Sequence, residues 1–160
     1  MSPAKWKREP KSAIIPLTRQ IRSDVNPESL ETQTIAWHFH RIDWEHGQWG
    51  FRNLRPPHWR ELLKHLVSLE GLTWAKLKEQ CGGRGKSGGT NHHSLELDEL
   101  CRDAQARLIE LNLDDYDLIF SLRLSNTLRL YGIRDGRVLR LLWYDQHHGS
   151  KNAVYLTKNA

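Results

Sequence analysis

Two pairs of adjacent histidines, His92-His93 and His147-His148, are the residues of this chain best suited to proton transfer, because neutral imidazole exchanges a proton near physiological pH. Asp145 stands just before the second pair, where it could orient or charge one of the rings. Three arginines, Arg123, Arg129 and Arg140, recur in the same C-terminal stretch around Tyr131. A guanidinium fork suits phosphate oxygens, and a tyrosine ring can stack on a base. Cleavage of RNA through attack of the neighbouring 2′-hydroxyl needs a base, an acid and cations around the phosphorane, and requires neither a metal nor a protein nucleophile. The inventory is sufficient for that chemistry. Each histidine also has a plainer reading, as a hydrogen-bonding loop residue beside a helix or strand.

These groups act together only if the fold gathers them. From Thr34 the run Ile35, Ala36, Trp37, His38, Phe39, His40, Arg41, Ile42 is rich in β-branched and aromatic residues and roughly alternates, which predicts a strand ended by Gly47 and Gly50. Pro56 and Pro57 suit a first helical turn, and Trp59, Leu62, Leu63, Leu66 and Val67 continue at helical spacing to about Leu69. Gly71 ends that helix, and Thr73 can cap a second, short one whose buried stripe is Trp74, Leu77 and Cys81. A glycine-rich basic loop over 82–89 follows. Residues 91–94 then lead into a third helix over 97–111, with Leu97, Leu100, Cys101, Ala104, Leu108 and Leu111 on one face. Residues 118–124, 128–134 and 137–144 alternate as strands, and Asp135-Gly136 is a two-residue hairpin signal. The predicted order is β-α-α-α-β-β-β, an α+β fold in which an N-terminal strand and helices pack on a C-terminal antiparallel meander.

The last hairpin predicts which side chains share a face. A turn at Asp135-Gly136 sets Arg134 opposite Arg137, Tyr131 opposite Arg140, Leu130 opposite Leu141 and Arg129 opposite Leu142. One face then collects Leu128, Leu130, Gly132, Leu139, Leu141 and Trp143 as core, and the other collects Arg129, Tyr131, Ile133, Val138, Arg140 and Leu142. A three-residue loop at 125–127 pairs Leu122 with Leu130 and Arg123 with Arg129, keeping leucines inside and arginines outside. Like charges directly opposite one another destabilise a sheet unless an anion lies between them, and phosphate is such an anion. The alternative is a solvated outer face, as antiparallel sheets often have.

With 160 residues, 38% hydrophobic and 27% charged, the chain has the composition of one globular domain with a polar appendage. The division expected is a flexible basic tail over 1–32 and a single α+β domain over 33–160. The net charge of +5 points toward polyanions. Cys81 and Cys101 lack the spacing of a disulfide framework or zinc site and are expected as thiols. No apolar run is long enough to cross a bilayer and the N-terminus lacks a signal-peptide core, so a cytoplasmic location without membrane association is expected. Gly85-Lys86-Ser87 has the end of a phosphate-binding P-loop, but Gln80 stands where the pattern needs glycine and no strand precedes it. Cys81, His92, His93 and Cys101, even joined by His38 and His40, make a zinc site only through irregular spacings, so neither metal nor cofactor is expected. The seven tryptophans mostly fall at periodic positions, as core or partner contacts.

The order of strand, helices and terminal basic meander resembles the RelE/YafQ family of bacterial mRNA-interferase toxins, over roughly 34–148. At residue level the resemblance rests on Asn91-His92-His93-Ser94-Leu95 and on the arginine-bearing strands over 128–144. It implies a toxin-type endoribonuclease that cuts mRNA, commonly on the ribosome, and is silenced by a cognate antitoxin. The expected catalytic residues are His92, His93, Arg129 and His148, with Arg123, Tyr131, Arg140 and Asp145 binding RNA. Two other functions compete: a non-catalytic RNA- or DNA-binding module using the same arginines, and a protein-interaction domain built on the tryptophan-rich first strand and helix.

Overall fold

A computed structural model describes residues 30–80 and 91–155. Its centre is a five-stranded sheet in the order β1-β5-β4-β3-β2, with β1 at Ala36–His38, β2 at His93–Glu96, β3 at Leu118–Arg123, β4 at Arg129–Asp135 and β5 at Val138–Asp145. β1 runs parallel to β5, and the other neighbours are antiparallel. Among the described residues three helices accompany the sheet: α1 (Pro56–Leu69), α2 (Trp74–Glu79) and α3 (Arg102–Glu110). The class is α+β. Of the basic tail expected over 1–32, residues 1–29 lie outside the described residues, while Glu31 pairs with Lys78 and Arg134; the glycine-rich loop, with Cys81 and Gly85-Lys86-Ser87, also lies outside them.

The first two helices follow the sequence pattern closely. Pro56 and Pro57 occupy the first turn of α1, which buries Leu62 and Leu66. The Thr73 hydroxyl accepts the Lys76 N–H at 3.3 Å and starts α2, which buries Trp74 and Leu77. The first strand is shorter than expected, because only Ala36–His38 find partners on β5 and the chain turns at Phe39 to Ile42.

The order is β-α-α-β-α-β-β-β, with one strand more than the periodicity predicts. His93–Glu96 pairs with β3 as an edge strand and buries Leu95 opposite Ile119. The third helix consequently starts at Arg102 and not at Leu97. Leu97–Glu99 forms a tight 3-10 turn closed by a reciprocal Glu96/Glu99 capping box, and the Cys101 N–H donates to the Val154 carbonyl at 2.8 Å. The backbone before α3 is therefore committed to the C-terminal segment.

Between β3 and β4 the three-residue loop holds as predicted, with Leu122 opposite Leu130 and Arg123 opposite Arg129. The β4–β5 register differs. Asp135 pairs with Val138, so the corners of the turn are Gly136 and Arg137, and Gly136 takes φ +61°. A positive φ at the first corner alone is the pattern of a type II′ turn, whereas Asp135-Gly136 corners would need it at both positions. The pairings expected for Arg134, Tyr131, Leu130 and Arg129 are all displaced in consequence.

A β-bulge then inserts Leu142, since Gly132 pairs with Leu141 while Tyr131 pairs with Trp143. Gly132 has no room for a side chain, because a Cβ there would meet the Arg140 carbonyl oxygen at 2.5 Å. Beyond the bulge the faces exchange: Tyr144 joins the core with Leu128, Leu130, Leu139 and Leu141, and Trp143 moves to the opposite side.

That opposite side is the face expected to be an open arginine surface, and it is instead a second core. Tyr131, Ile133, Leu142 and Trp143 are buried there against Trp49, Ala104, Leu108, Leu113 and Val154. The apolar stripe of α3 needs a partner, and this half of the sheet supplies one, which makes three layers. Asp43 fastens them. Its buried carboxylate accepts from Arg107 Nε and Nη2 on α3, both at 2.8 Å, and from Trp143 Nε1 on β5 at 3.1 Å. Burial alone would raise the Asp43 pKa, but these hydrogen bonds, one from the Glu45 N–H and the Arg107 charge outweigh it and hold the pKa at about 2.

Candidate functional site

Past the end of α3 the second face finishes in a row that crosses three strands: Arg123 on β3, Arg129 on β4 and Asp145 on β5. The two arginines stand directly opposite one another. Arg123 donates from Nη1 to Asn91 Oδ1 and from Nη2 to Asn126 Oδ1, both at 2.6 Å, and from Nε to the Ser125 carbonyl at 3.3 Å. Arg129 is 7% exposed and donates from Nη1 to the carbonyls of Ser125 at 2.6 Å and Leu128 at 3.0 Å, while its Nε finds no acceptor. Both guanidinium groups are thus held by neutral oxygens, and among the described residues no carboxylate lies within ion-pairing distance of either.

Asp145, which Arg129 faces across the ladder, is occupied elsewhere. It is fully buried and accepts the His147 N–H at 2.7 Å and the Val154 N–H at 3.0 Å. Burial pushes its pKa up, while those amides and the His147 and Arg129 charges oppose the rise. The carboxylate folds the segment after β5 back across the sheet, and the His148 N–H donating to the Thr127 carbonyl at 3.2 Å ties that segment to the β3–β4 turn. His148 comes near enough to the arginine row to feel its charge, and Tyr155 lies beside His148. Their rings are nearly parallel at 6.4 Å, and His93 meets Tyr155 edge-on at the same separation.

The histidines divide by their bonds. His92 is buried; its Nδ1 accepts the Arg123 backbone N–H at 3.1 Å and its Nε2 lies 3.2 Å from Gln80 Oε1, which fixes the tautomer protonated on Nε2. Both nitrogens are engaged, so the residue fastens β3 to the end of α2 and has none free for proton exchange. His148 keeps a buried, unpartnered Nδ1. Burial, followed by the Arg129, His93 and Arg123 charges, lowers the His148 pKa to about 4; burial, then Arg129, Arg123 and His93, does the same for His92. Both rings are neutral at physiological pH. Arg129 is itself lowered, by burial first and by Arg123, against the opposing pull of Tyr131 and Asp145.

Beneath them, Ser121 and Tyr131 are cross-strand partners with no exposure, and neither hydroxyl reaches hydrogen-bonding geometry, although Ser121 is near enough to favour the tyrosinate slightly. Burial, followed by the Asp145 charge, pushes the Tyr131 phenol up, so it stays protonated. A fully buried ring leaves no face for a nucleobase.

The fold therefore brings His92, His93, His148, Arg123, Arg129, Tyr131 and Asp145 to one place, and His147 reaches it only through its backbone. Arg140 does not join them; it lies toward the hairpin and pairs with Asp135. Comparisons with family models, curated proteins and solved structures find no match. The assignment of the site consequently rests on its own geometry. Sequence reasoning missed Asn91, Asn126 and the Ser125 carbonyl, which aim the arginines, and Tyr155, which meets the His93 and His148 rings. The signal was available for Asn126 and the Ser125 carbonyl, because a three-residue turn between facing arginines must present its polar groups to both; Asn91, before β2, gave none. Among the described residues no group of three or more His, Cys, Asp or Glu could hold a metal, and no helix is long and apolar enough to cross a membrane.

Proposed function

We propose that the protein is a metal-independent endoribonuclease of the toxin type that the RelE/YafQ resemblance implies, cutting cytoplasmic mRNA on or off the ribosome and restrained by a cognate antitoxin. The observation that carries this reading is the pair of facing guanidinium groups fixed only by neutral oxygens. Two like charges held 2.6 Å from amide and carbonyl acceptors are aimed but not neutralised, a preorganised seat for an anion. The scissile phosphate binds between Arg123 and Arg129. Neutral His148 takes the proton of the 2′-hydroxyl as its oxygen attacks phosphorus, and His93 gives a proton to the departing 5′-oxygen. The O2′–P bond forms, the P–O5′ bond breaks, and the products are a 2′,3′-cyclic phosphate and a 5′-hydroxyl. His92 has a positional part, holding Arg123.

A second reading, a non-catalytic RNA-binding module, is favoured by the double engagement of His92, which removes one of the expected acid-base groups. Induction of the wild type and of an Arg129→Ala, His93→Ala, His148→Ala variant in a bacterial host, with growth and new RNA 5′ ends followed, separates the two. The nuclease arrests growth and generates ends only as wild type. If both proteins leave RNA intact while purified wild type still binds it, the catalytic reading is wrong and the binding module stands.

A further inference from the structure

Trp44 is 50% exposed, and among the described residues no other tryptophan is as open. Its ring lies 6.4 Å from that of Trp59 on α1, and Trp59 rests in turn on Phe51 at 5.5 Å, against the first core. The pair is therefore backed by packed side chains while Trp44 offers half its surface to solvent. Cations surround it. Arg55, at the start of α1, precedes Trp59 by one turn, and Arg60 and Lys64 follow on the outer side of the helix. All three are exposed, and among the described residues none enters an ion pair. The nearby carboxylates are engaged: Asp43 by Arg107, Glu45 by Arg52 and Glu61 by His65. This surface stands at the same end of the sheet as the arginine row. Gln146, the residue after Asp145, brings Nε2 to 3.5 Å from His58 Nδ1 in the first turn of α1, and the His58 ring lies over Tyr144 at 6.5 Å.

We infer that Trp44, backed by Trp59 and flanked by Arg55, Arg60 and Lys64, is a stacking platform for a base of single-stranded RNA. The inference rests on the reading of the arginine row as an RNA-phosphate seat and deepens it. A strand with its scissile phosphate between Arg123 and Arg129 passes the end of β5 and lays a flanking base on Trp44, its phosphates meeting the three cations. Aromatic rings beside unpaired cations are the arrangement that holds single strands without reading their sequence, because every base has a ring face and every nucleotide a charge. The strand must be single, since the bases of a duplex are already stacked on one another. Charge selects among the occupants. A second copy of this surface, or the basic segment over 1–29, would bring more cations to it. Leu63 and Val67, also exposed, extend an apolar stripe along α1 away from the row and have no ring to offer a base.

Fluorescence anisotropy of the full chain with a labelled 2′-O-methyl oligouridine of about ten nucleotides, which a 2′-hydroxyl attack cannot cut, and with an abasic strand of the same length tests this. Trp44→Ala is expected to weaken the oligouridine at least ~5-fold and leave the abasic strand unchanged, while Trp44→Phe, which keeps a ring, retains most of the affinity. Arg60→Gln combined with Lys64→Gln is expected to weaken both strands, since both carry the phosphates. Oligouridine that Trp44→Ala binds as well as wild type does overturns the inference, as does an equal loss for the abasic strand, which has nothing to stack. A wild type that binds neither strand overturns it too. So does a concentration-dependent dimer that Trp44→Ala abolishes with RNA affinity intact, which would give the surface to a second copy. Arg129→Met separates this inference from the reading beneath it: Trp44-dependent binding that Arg129→Met leaves untouched would refute only the phosphate seat, and binding that Arg129→Met abolishes while Trp44→Ala does nothing would refute only the platform.

Discussion

Arg107 and Arg129 both approach the second face of the sheet, one from the helix above it and one from the strand within it, and they meet different company. Arg107 is clasped by two oxygens of Asp43 at 2.8 Å and by Glu110 at 2.6 Å, and those hydrogen bonds raise its pKa. Arg129, more buried, touches two carbonyls and no carboxylate. The charge of the first is compensated inside the fold and serves to hold α3 down. That of the second is left over, with Arg123 beside it. Proximity of charge to a protein interior does not by itself mark a functional residue; what distinguishes the two clusters is whether the fold has already supplied the counter-ion.

The largest effect belongs to the structural cluster. Asp43→Ala strands Arg107 and Trp143 Nε1 and is expected to cost about 3–5 kcal/mol, read from urea unfolding midpoints. A loss below 1 kcal/mol would mean that α3 is held by packing alone.

Acid separates the clusters next. The folded pKa of His92 is depressed from 6.5 to about 4, so as pH falls the unfolded chain takes up protons first, and stability present above 6.5 drains away until about 4. For a buried imidazole that amounts to about 3 kcal/mol, and His148 adds a smaller, partly solvent-screened share in the same window. Asp43, folded pKa about 2 against 3.8, gives up its contribution only on descending from 3.8 toward 2. Unfolding midpoints between pH 7.5 and 4.5 should therefore fall for wild type and fall clearly less for His92→Gln; parallel curves would refute the assignment.

An anion should compensate one cluster and ignore the other. Inorganic phosphate at 100 times its dissociation constant is expected to stabilise the wild type by about 2.7 kcal/mol and Arg129→Met by nothing. In its absence Arg129→Met should be as stable as wild type or more so by about 1 kcal/mol, because an apolar side chain replaces a buried cation without a counter-ion. Destabilisation by that substitution would show the guanidinium to be structural after all. Smallest is Tyr131→Phe, expected to stay within about 0.5 kcal/mol of wild type in thermal melts, since the hydroxyl it removes bonds nothing.

Local rules recovered what local forces determine. The prolines before Trp59 and the Thr73 hydroxyl set α1 and α2, and the loop at 125–127 sets Arg123 opposite Arg129 from spacing alone. Failures came where a distant segment intervened. Residues 93–96 are too short to announce a strand without β3 beside them, Leu97 and Leu100 carry helical spacing in a backbone bonded to Val154, and the bulge at Leu142 depends on a close approach at Gly132 that no alternation reveals. That bulge exchanged the faces at Trp143. Residue type singled out the arginines and histidines that cluster, along with Arg140 which does not, but their environment was misjudged: a face read as open is the floor of a second core, which is why Tyr131 is a buried hydroxyl and not a stacking platform.

The parallel pairing of β1 with β5 sets a clock on folding. Asp43, just past β1, bonds Trp143 at a separation of 100 residues, and the Trp74 indole reaches the Arg137 carbonyl across 63. Contacts so remote in the chain are slow to find one another, because the loop must close before the bond repays it. During synthesis the first strand and α2 can bond each other through Thr34 and Thr73 but lack β5 until the final hairpin emerges, and the arginine row needs β3, β4 and the segment folded back by Asp145. A growing chain of this protein would carry no finished arginine row until its last strand and the segment after it have been made.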